Sequence, residues 1–397
     1  MTPVKAALSD ELQEFIAWRH DIHAHPETGF EEERTAAKVA DLLQSFGLSV
    51  TTGIAKTGVV GTLVGNRPGK GAVGLRADLD ALFVEENNCF AHRSTHGGQM
   101  HACGHDGHTV MLLAAARYLS RYRDFAGTVH FIFQPAEEGL GGGREMIREG
   151  LFERFPVDAV FGLHNHPGQP AGAFNIRSGA MMAASDTWTV TFRGTGGHGG
   201  FGPHLATDPT MPLAHFILAV QTIIGRNVPA IETAVLSVGH VAGGSAGSPN
   251  IIPAEVTVGG TARSYSHAVR DLLERRLEET ATTLASTYGC TARVNYNRRY
   301  PPLINHEAEV GLAARAARMV APADMVNDRM DPITSAEDFA FMLIERPGAF
   351  MMLGNGVEPD GSFVNVHSPD YDFNDGIIVT GAAYWIALAH EALEHFA

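Results

Sequence analysis

Three apolar runs of strand length each lead into side chains that can bind a metal or move a proton. "AVGLRAD" (72–78) runs into Asp78 and Asp80, "TVHFIFQ" (128–134) into Glu137 and Glu138, and "DAVFGLH" (158–164) ends on His164. Short apolar strands alternating with helical periodicity confine a chain to an α/β fold with a mainly parallel sheet. In such sheets a site forms outside the carboxyl ends of the strands. The three ends are therefore expected to converge.

Helical spacing frames these strands. An opening helix through Leu12, Phe15, Ile16 and Arg19 is expected to be capped by Ser9 or Asp10. A second spans 32–46 and stops at Gly47, and a strong one covers 107–123. A further strand reads at 58–65. Near residue 185 the pattern changes: alternating strands at 186–194, 234–244, 254–264 and 290–299 are interleaved with helices at 215–224 and 267–287. That is a smaller α+β domain at 185–299. It divides a catalytic domain into 1–184 and 300–397. After 305 the chain reads as helices and loops, ending in a helix at 376–395.

Charge and composition narrow the partners. With 29 Lys and Arg against 44 Asp and Glu, the net charge is −15 and no basic block stands out, so neither nucleic acid nor an anionic membrane surface is an expected partner. There is no run of 18 or more apolar residues and no signal-type apolar stretch near Met1. The three cysteines, Cys89, Cys103 and Cys290, are odd in number and far apart, which fits a reducing cytoplasm.

"MHACGHDGH" (100–108) precedes the helix 107–123 and lies between two of the strand ends. Cys103 and His105 are two apart in a glycine-containing loop, so both can face one centre. A thiolate there suits Zn²⁺ or a similar ion, and the following helix N-terminus favours the anion. Glu137 and Glu138 are adjacent and cannot easily share one task. One can bind metal while the other takes a proton from a water whose pKa the metal has lowered.

The motifs "MHACGHDGH", "FQPAEEGLGGG", "GLHNHPG", "GGHGGFGPH" and "HSPDYDFND" together resemble the bacterial hippurate hydrolase and plant auxin–amino acid conjugate hydrolase family. These are dinuclear metal-dependent amidohydrolases related to the carboxypeptidase and aminoacylase group. The resemblance covers nearly the whole chain in the right order. It implies two divalent ions per subunit (Mn, Zn, Ni or Co) held by Cys103, His105, Glu138, His164 and His367, with Cys103 between them. It implies Glu137 as the general base and Asp80 as a support of the metal centre. It implies that 185–299 is an inserted, ferredoxin-like lid and dimerisation domain, in which His198 matches a histidine that polarises the substrate carbonyl across a dimer interface, and Asn250 and Arg263 match positions that hold the substrate carboxylate. Where the family has Pro after "DAL", this chain has Phe83, which is expected to alter the loop and leave the ligands alone. The implied activity is hydrolysis of N-acyl amino acids to a carboxylic acid and an amino acid, in a cytoplasmic homodimer or dimer-based oligomer.

Plainer readings apply to other residues. His20, His23 and His25 are expected to bond locally on a helix and its exit, His101 and His108 to brace the ligands or pack beside them, and His204 to be structural. Cys89 and Cys290 are expected to be packing residues, and Arg263 reads equally as a surface strand residue. The rival functions are a metal-dependent dipeptidase or carboxypeptidase, which needs a pocket for a free amine, and a non-catalytic binding protein, which has no need of the Glu137–Glu138 pair. A structural zinc module fits poorly, because no second cysteine lies near Cys103.

Overall fold

The structure is a computed structural model that describes residues 1–397. The chain forms two compact units. The first comprises Met1–Gly179, Ile304–Asp331 and Asp338–Ala397; the second comprises Ala180–Leu303 and Pro332–Glu337. The six-residue return to the second unit has a local cause: Ile333 donates to the Met181 carbonyl and Ala183 to that of Ser335, so the excursion adds to the chain at 181–183.

The first unit is built on an eight-stranded sheet. Its centre is four parallel strands in the order Ala126–Gln134, Arg67–Asp78, Ala159–Pro167 and Gly348–Gly356. Ser49–Ile54 and Gly58–Val64 extend it antiparallel on one side. The strand Gly348–Gly356 was expected to be loop or helix. It is buried along Gly348–Gly354 and so lacks the alternation that marks a half-exposed strand. Ser49–Ile54 also went unexpected, since its Ser, Thr and Gly residues carry little apolar signal.

The opening helix differs too. The chain is already helical over Thr2–Asp10, with Pro3 in the first turn, and after a break at Glu11 resumes over Leu12–Ala24. Ser9 and Asp10 therefore lie inside a helix and cap nothing. The long helix falls at His105–Arg121, buried along most of its length, and packs beside Ile378–His395. That last helix is long and apolar enough to cross a membrane by composition, but most of it is buried in the core of this unit.

The second unit has the β-α-β-β-α-β order of ferredoxin-like folds. Its four antiparallel strands run Ala234–Gly243, Glu255–Ser264, Ser185–Arg193 and Thr291–Tyr300. Alternation explains the core: Trp188, Val190 and Phe192 face inward from one strand and meet Phe216, Val220 and Ile223 of the helix Thr210–Arg226. Leu273, Leu277 and Ala281 of the helix His267–Thr287 complete it.

Candidate metal centre

Strand ends and tight backbone turns bring the chemistry together at the carboxyl ends of the central strands. Arg67–Asp78 leads through Leu79 to buried Asp80. Ala126–Gln134 leads through Pro135 and Ala136 to Glu137 and Glu138, and Ala136 takes the left-handed φ of 54°. His164 lies on Ala159–Pro167 itself. Gly104, at φ 89°, turns the chain between Cys103 and His105, and a Cβ there would stand 2.6 Å from Asn165 Oδ1 and 2.8 Å from the Tyr371 hydroxyl. His367 is also left-handed, at φ 66°, with its N–H donated to the Ala102 carbonyl at 2.7 Å. Non-glycine residues in this region are strained, and such strain gathers at functional sites.

The ligating atoms of Cys103, His105 and His164 lie within 4.8 Å of one another, and so do those of Cys103, Glu138 and His367. Cys103 belongs to both groups. A third group joins His105, Glu137 and Glu138. Cys103 Sγ is 3.5 Å from His164 Nε2, and His367 Nε2 is 3.0 Å from Glu138 Oε1. Exposure is graded: Cys103, His105 and Glu137 are buried, Glu138 and His164 partly open, and His367 exposed. His367 therefore stands at the mouth of the cluster.

Hydrogen bonds orient the rings. His164 Nδ1 donates to its neighbour's carbonyl, Asn165 O, at 2.7 Å, which leaves the Nε2 lone pair toward Cys103. Asp80 Oδ1 lies 3.3 Å from His105 Nδ1, while buried His105 Nε2 has no hydrogen-bond partner. Asp80 does more than face a histidine. Its Oδ1 accepts the Glu137 N–H at 3.0 Å and its Oδ2 the Glu138 N–H at 2.9 Å. Glu137 Oε1 in turn accepts the Asp338 N–H at 3.3 Å.

The electrostatics favour a cation. Burial, with the charges of Glu138, Glu137 and Asp78, pushes the Cys103 thiol well above its usual range. His105 is pushed up to about 10: burial opposes its charge, but Asp78 and Asp80 outweigh it. Burial raises the Glu138 carboxyl, yet His367 and His105 hold it below the ordinary value. Burial and the neighbouring His108 hold His164 well down, so its ring is neutral. The cluster thus offers a neutral imidazole, a carboxylate, and a thiol that needs a cation beside it to ionise. A bare buried nitrogen on His105 and two triads sharing one sulfur fit a pair of divalent ions.

Other residues named from the sequence surround these ligands. Asp78 accepts from Arg76 Nη1 at 2.8 Å and from His108 Nδ1 at 2.6 Å, and the other His108 nitrogen faces Asn165. Asp78 was expected at this strand end, but its contact with His108, 30 residues away, was not. His108 therefore braces the centre, whereas His101 packs: its ring is buried with neither nitrogen hydrogen-bonded, and burial holds its pKa at about 3. Of the early histidines, His25 alone bonds locally, to the Asp21 carbonyl. His23 is buried between Asp106 at 2.9 Å and Glu86 at 3.3 Å, and His20 reaches Asp375. Cys89 is exposed rather than packed. Phe83 is exposed as well.

The remaining candidates, His198, Asn250 and Arg263, belong to the second unit. His198 is exposed on a two-stranded ribbon, Gly197–His198 with Ile251–Ile252. Its Nδ1 accepts the N–H groups of Gly200 at 3.1 Å and Phe201 at 3.0 Å, so the ring proton sits on Nε2. Asn250 is exposed in the turn just before this ribbon's second strand, its carbonyl accepting from Gly199 at 2.8 Å. Arg263 is half-buried on Glu255–Ser264, and its Nη1 donates to the Ala262 carbonyl at 2.9 Å.

Residues 74–391 match the peptidase family M20/M25/M40. The hippurate hydrolase of Campylobacter jejuni is 39% identical over 382 residues, covering 96% of this chain and 97% of its own. An IAA-amino acid hydrolase of Arabidopsis thaliana is 34% identical over 381 residues, covering 95% and 84%. Among solved structures, the Bacillus subtilis YXEP protein, described as a dinuclear metal binding peptidase from the M20 family, superposes with a TM-score of 0.84 at 28% identity, covering 97% and 99%.

Proposed function

This chain belongs to peptidase family M20/M25/M40 and is an amidohydrolase, and from that premise we propose that it hydrolyses N-acyl amino acids, hippurate-like conjugates among them, with two divalent metal ions in the first unit. The observation that carries this reading is the sharing of Cys103 by two ligand groups, Cys103–His105–His164 and Cys103–Glu138–His367. These five residues would hold the ions. When bound, such ions polarise a carbonyl and acidify a water.

The chain's own residues do the rest. Glu137 takes a proton from the attacking water and delivers it to the leaving nitrogen as the C–N bond breaks and a C–O bond forms. Asp80 holds the backbone of Glu137 and Glu138 and keeps a proton on His105 Nδ1. His198, with its proton on Nε2, is a ready donor to the carbonyl oxygen as charge develops there. Arg263 and Asn250 take the substrate carboxylate, to which a guanidinium is matched.

The active form is a homodimer in which His198 serves a second copy's metal centre. Exposed Phe201, Leu205, Leu218 and Ile231 in the second unit, with its edge strand Ala234–Gly243, support such an assembly. Three free thiols fit a cytoplasmic setting.

One observation favours a dipeptidase as the second reading. A cavity of about 540 Å³ beside the His164 strand end and the His367 loop is lined by Glu358 and Asp370, with Asp372 already paired to Arg19 at 2.8 Å, and by no basic side chain. A substrate with a free amine would suit it.

The test is a substrate panel on chelated protein, reloaded with Mn²⁺, Zn²⁺, Co²⁺ or Ni²⁺. Activity should vanish on chelation and return with metal. N-Benzoylglycine should exceed its own methyl ester in kcat/KM by roughly tenfold or more, since one charge-assisted contact contributes ~1.5–3 kcal/mol. Equal values would remove the carboxylate contacts, and a preference for glycyl dipeptides would favour the second reading.

A further inference from the structure

The segment after the second helix, residues 26–32, has no part in the chemistry above, yet it is seated against the loop that carries Glu137. The Ala81 N–H donates to the Glu27 carbonyl at 2.8 Å, and Thr28 pairs with Ala81 in a parallel bridge, so the segment runs beside the chain end bearing Asp80. Phe30 turns it through φ 64°. Gly29 allows the approach: a Cβ there would stand 3.1 Å from both Cα and Cβ of Ala136.

This path delivers Glu32, whose side chain is fully buried. Its Oε1 accepts the Ala136 N–H at 2.8 Å, and its Oε2 accepts the Thr57 hydroxyl at 2.6 Å. Asp80 accepts the next two N–H groups, those of Glu137 and Glu138. Three successive backbone donors are thus each held by a buried carboxylate oxygen. The first of them belongs to Ala136, whose left-handed φ turns the chain immediately before Glu137. No basic side chain pairs with Glu32, and burial pushes its carboxyl up to about 7. A buried carboxylate without a cation weighs against folding. What it holds accounts for its presence.

We propose that Glu32 is a positioning residue for amide hydrolysis: by holding the Ala136 peptide, it fixes the direction in which the Glu137 side chain leaves the backbone. The proposal rests on the reading of Glu137 as the base. Without Glu32, the Ala136 N–H loses its partner and the strained φ is free to relax. Glu138 keeps its own anchor on Asp80, so metal binding should survive.

The test compares Glu32→Ala, Glu32→Asp and Glu32→Gln in the metal-loaded enzyme, on whichever amide the wild type cleaves. Ala removes the acceptor, and Asp keeps the charge but is one carbon too short to hold both donors. Both should lose about 10- to 100-fold in kcat, the scale of a small misplacement of a reacting group. KM and metal per subunit should stay within about twofold. Gln retains an oxygen for the Ala136 N–H and can donate to Thr57, so it should restore kcat to within about fivefold. Loss of fold would not produce this split, and Asp decides the matter if Ala does not fold. Wild-type kcat in Ala or Asp would overturn the proposal, as would metal loss in step with activity or a Gln variant as impaired as Asp. Glu137→Gln run alongside separates the two claims. Full turnover there removes the base assignment itself, whereas a dead Glu137→Gln beside an unaffected Glu32→Asp removes only the role of Glu32.

Discussion

The two units hold their candidate residues in opposite ways. In the first, Cys103, His105, Glu137 and Asp80 are buried, and Asp80 holds the N–H groups of Glu137 and Glu138 from a distant part of the chain. In the second, His198 stands exposed on a short ribbon with Asn250 exposed in the turn before it, and the His198 ring is held by the N–H groups of residues two and three further on. Metal ligation demands a fixed geometry in a low-dielectric setting, and packing supplies both. A group that meets the substrate from outside needs only the right tautomer and an open face. Under the proposed function, the difference separates residues that would build a site from residues that would be brought to one.

The largest expected effect that could break this comparison is at His198. Its replacement by Ala should lower kcat by roughly 10²–10³-fold, the scale of losing one carbonyl-oxygen donor. Metal content and melting temperature should be unchanged, because the side chain is exposed. Kinetics, elemental analysis and calorimetry on one preparation check this. A fall in metal content would show that the second unit helps to build the centre. Co-expression with Glu137→Gln sharpens the point: verified mixed dimers should regain activity that neither parent has.

A smaller effect tests the buried side. Burial opposes a charge on His23, but Asp106 and Glu86 raise it to about 9 from an ordinary 6.5. A raised histidine stabilises the fold fully below pH 6.5, and that contribution is lost as pH rises through about 9. The full loss is about 3 kcal/mol. Denaturant titrations across pH 6–10 should show this decline in the wild type and a flatter profile in His23→Gln. Parallel profiles would mean that His23 is not charged in its pocket.

Legibility followed the range of the interactions. The strand ends at Asp78, Gln134 and His164 were readable because short apolar runs mark them. From the residues alone, the Glu137–Glu138 pair could be split into a ligand and a base but not assigned; the resemblance supplied the assignment. The strand Gly348–Gly356 was missed because complete burial erases the alternation that would have marked it. His23 was misjudged because its partner Asp106 lies 83 residues away, and no local pattern reports such a contact. The same holds for Glu32, whose hold on Ala136 spans 104 residues. Asp80 was placed near the centre, but its grip on two backbone N–H groups is a matter of loop geometry, which the order of residues does not display.

Metal content and turnover of Glu137→Gln and Glu138→Gln, measured side by side, test the central claim most directly. Glu137→Gln should retain two metal ions per subunit and lose roughly 10²–10⁴-fold in kcat, since an amide cannot accept the water's proton. Glu138→Gln should lose metal, and activity with it. Metal loss in Glu137→Gln with a full complement in Glu138→Gln, or wild-type turnover in either, would contradict a centre in which Glu138 binds metal and Glu137 moves the proton.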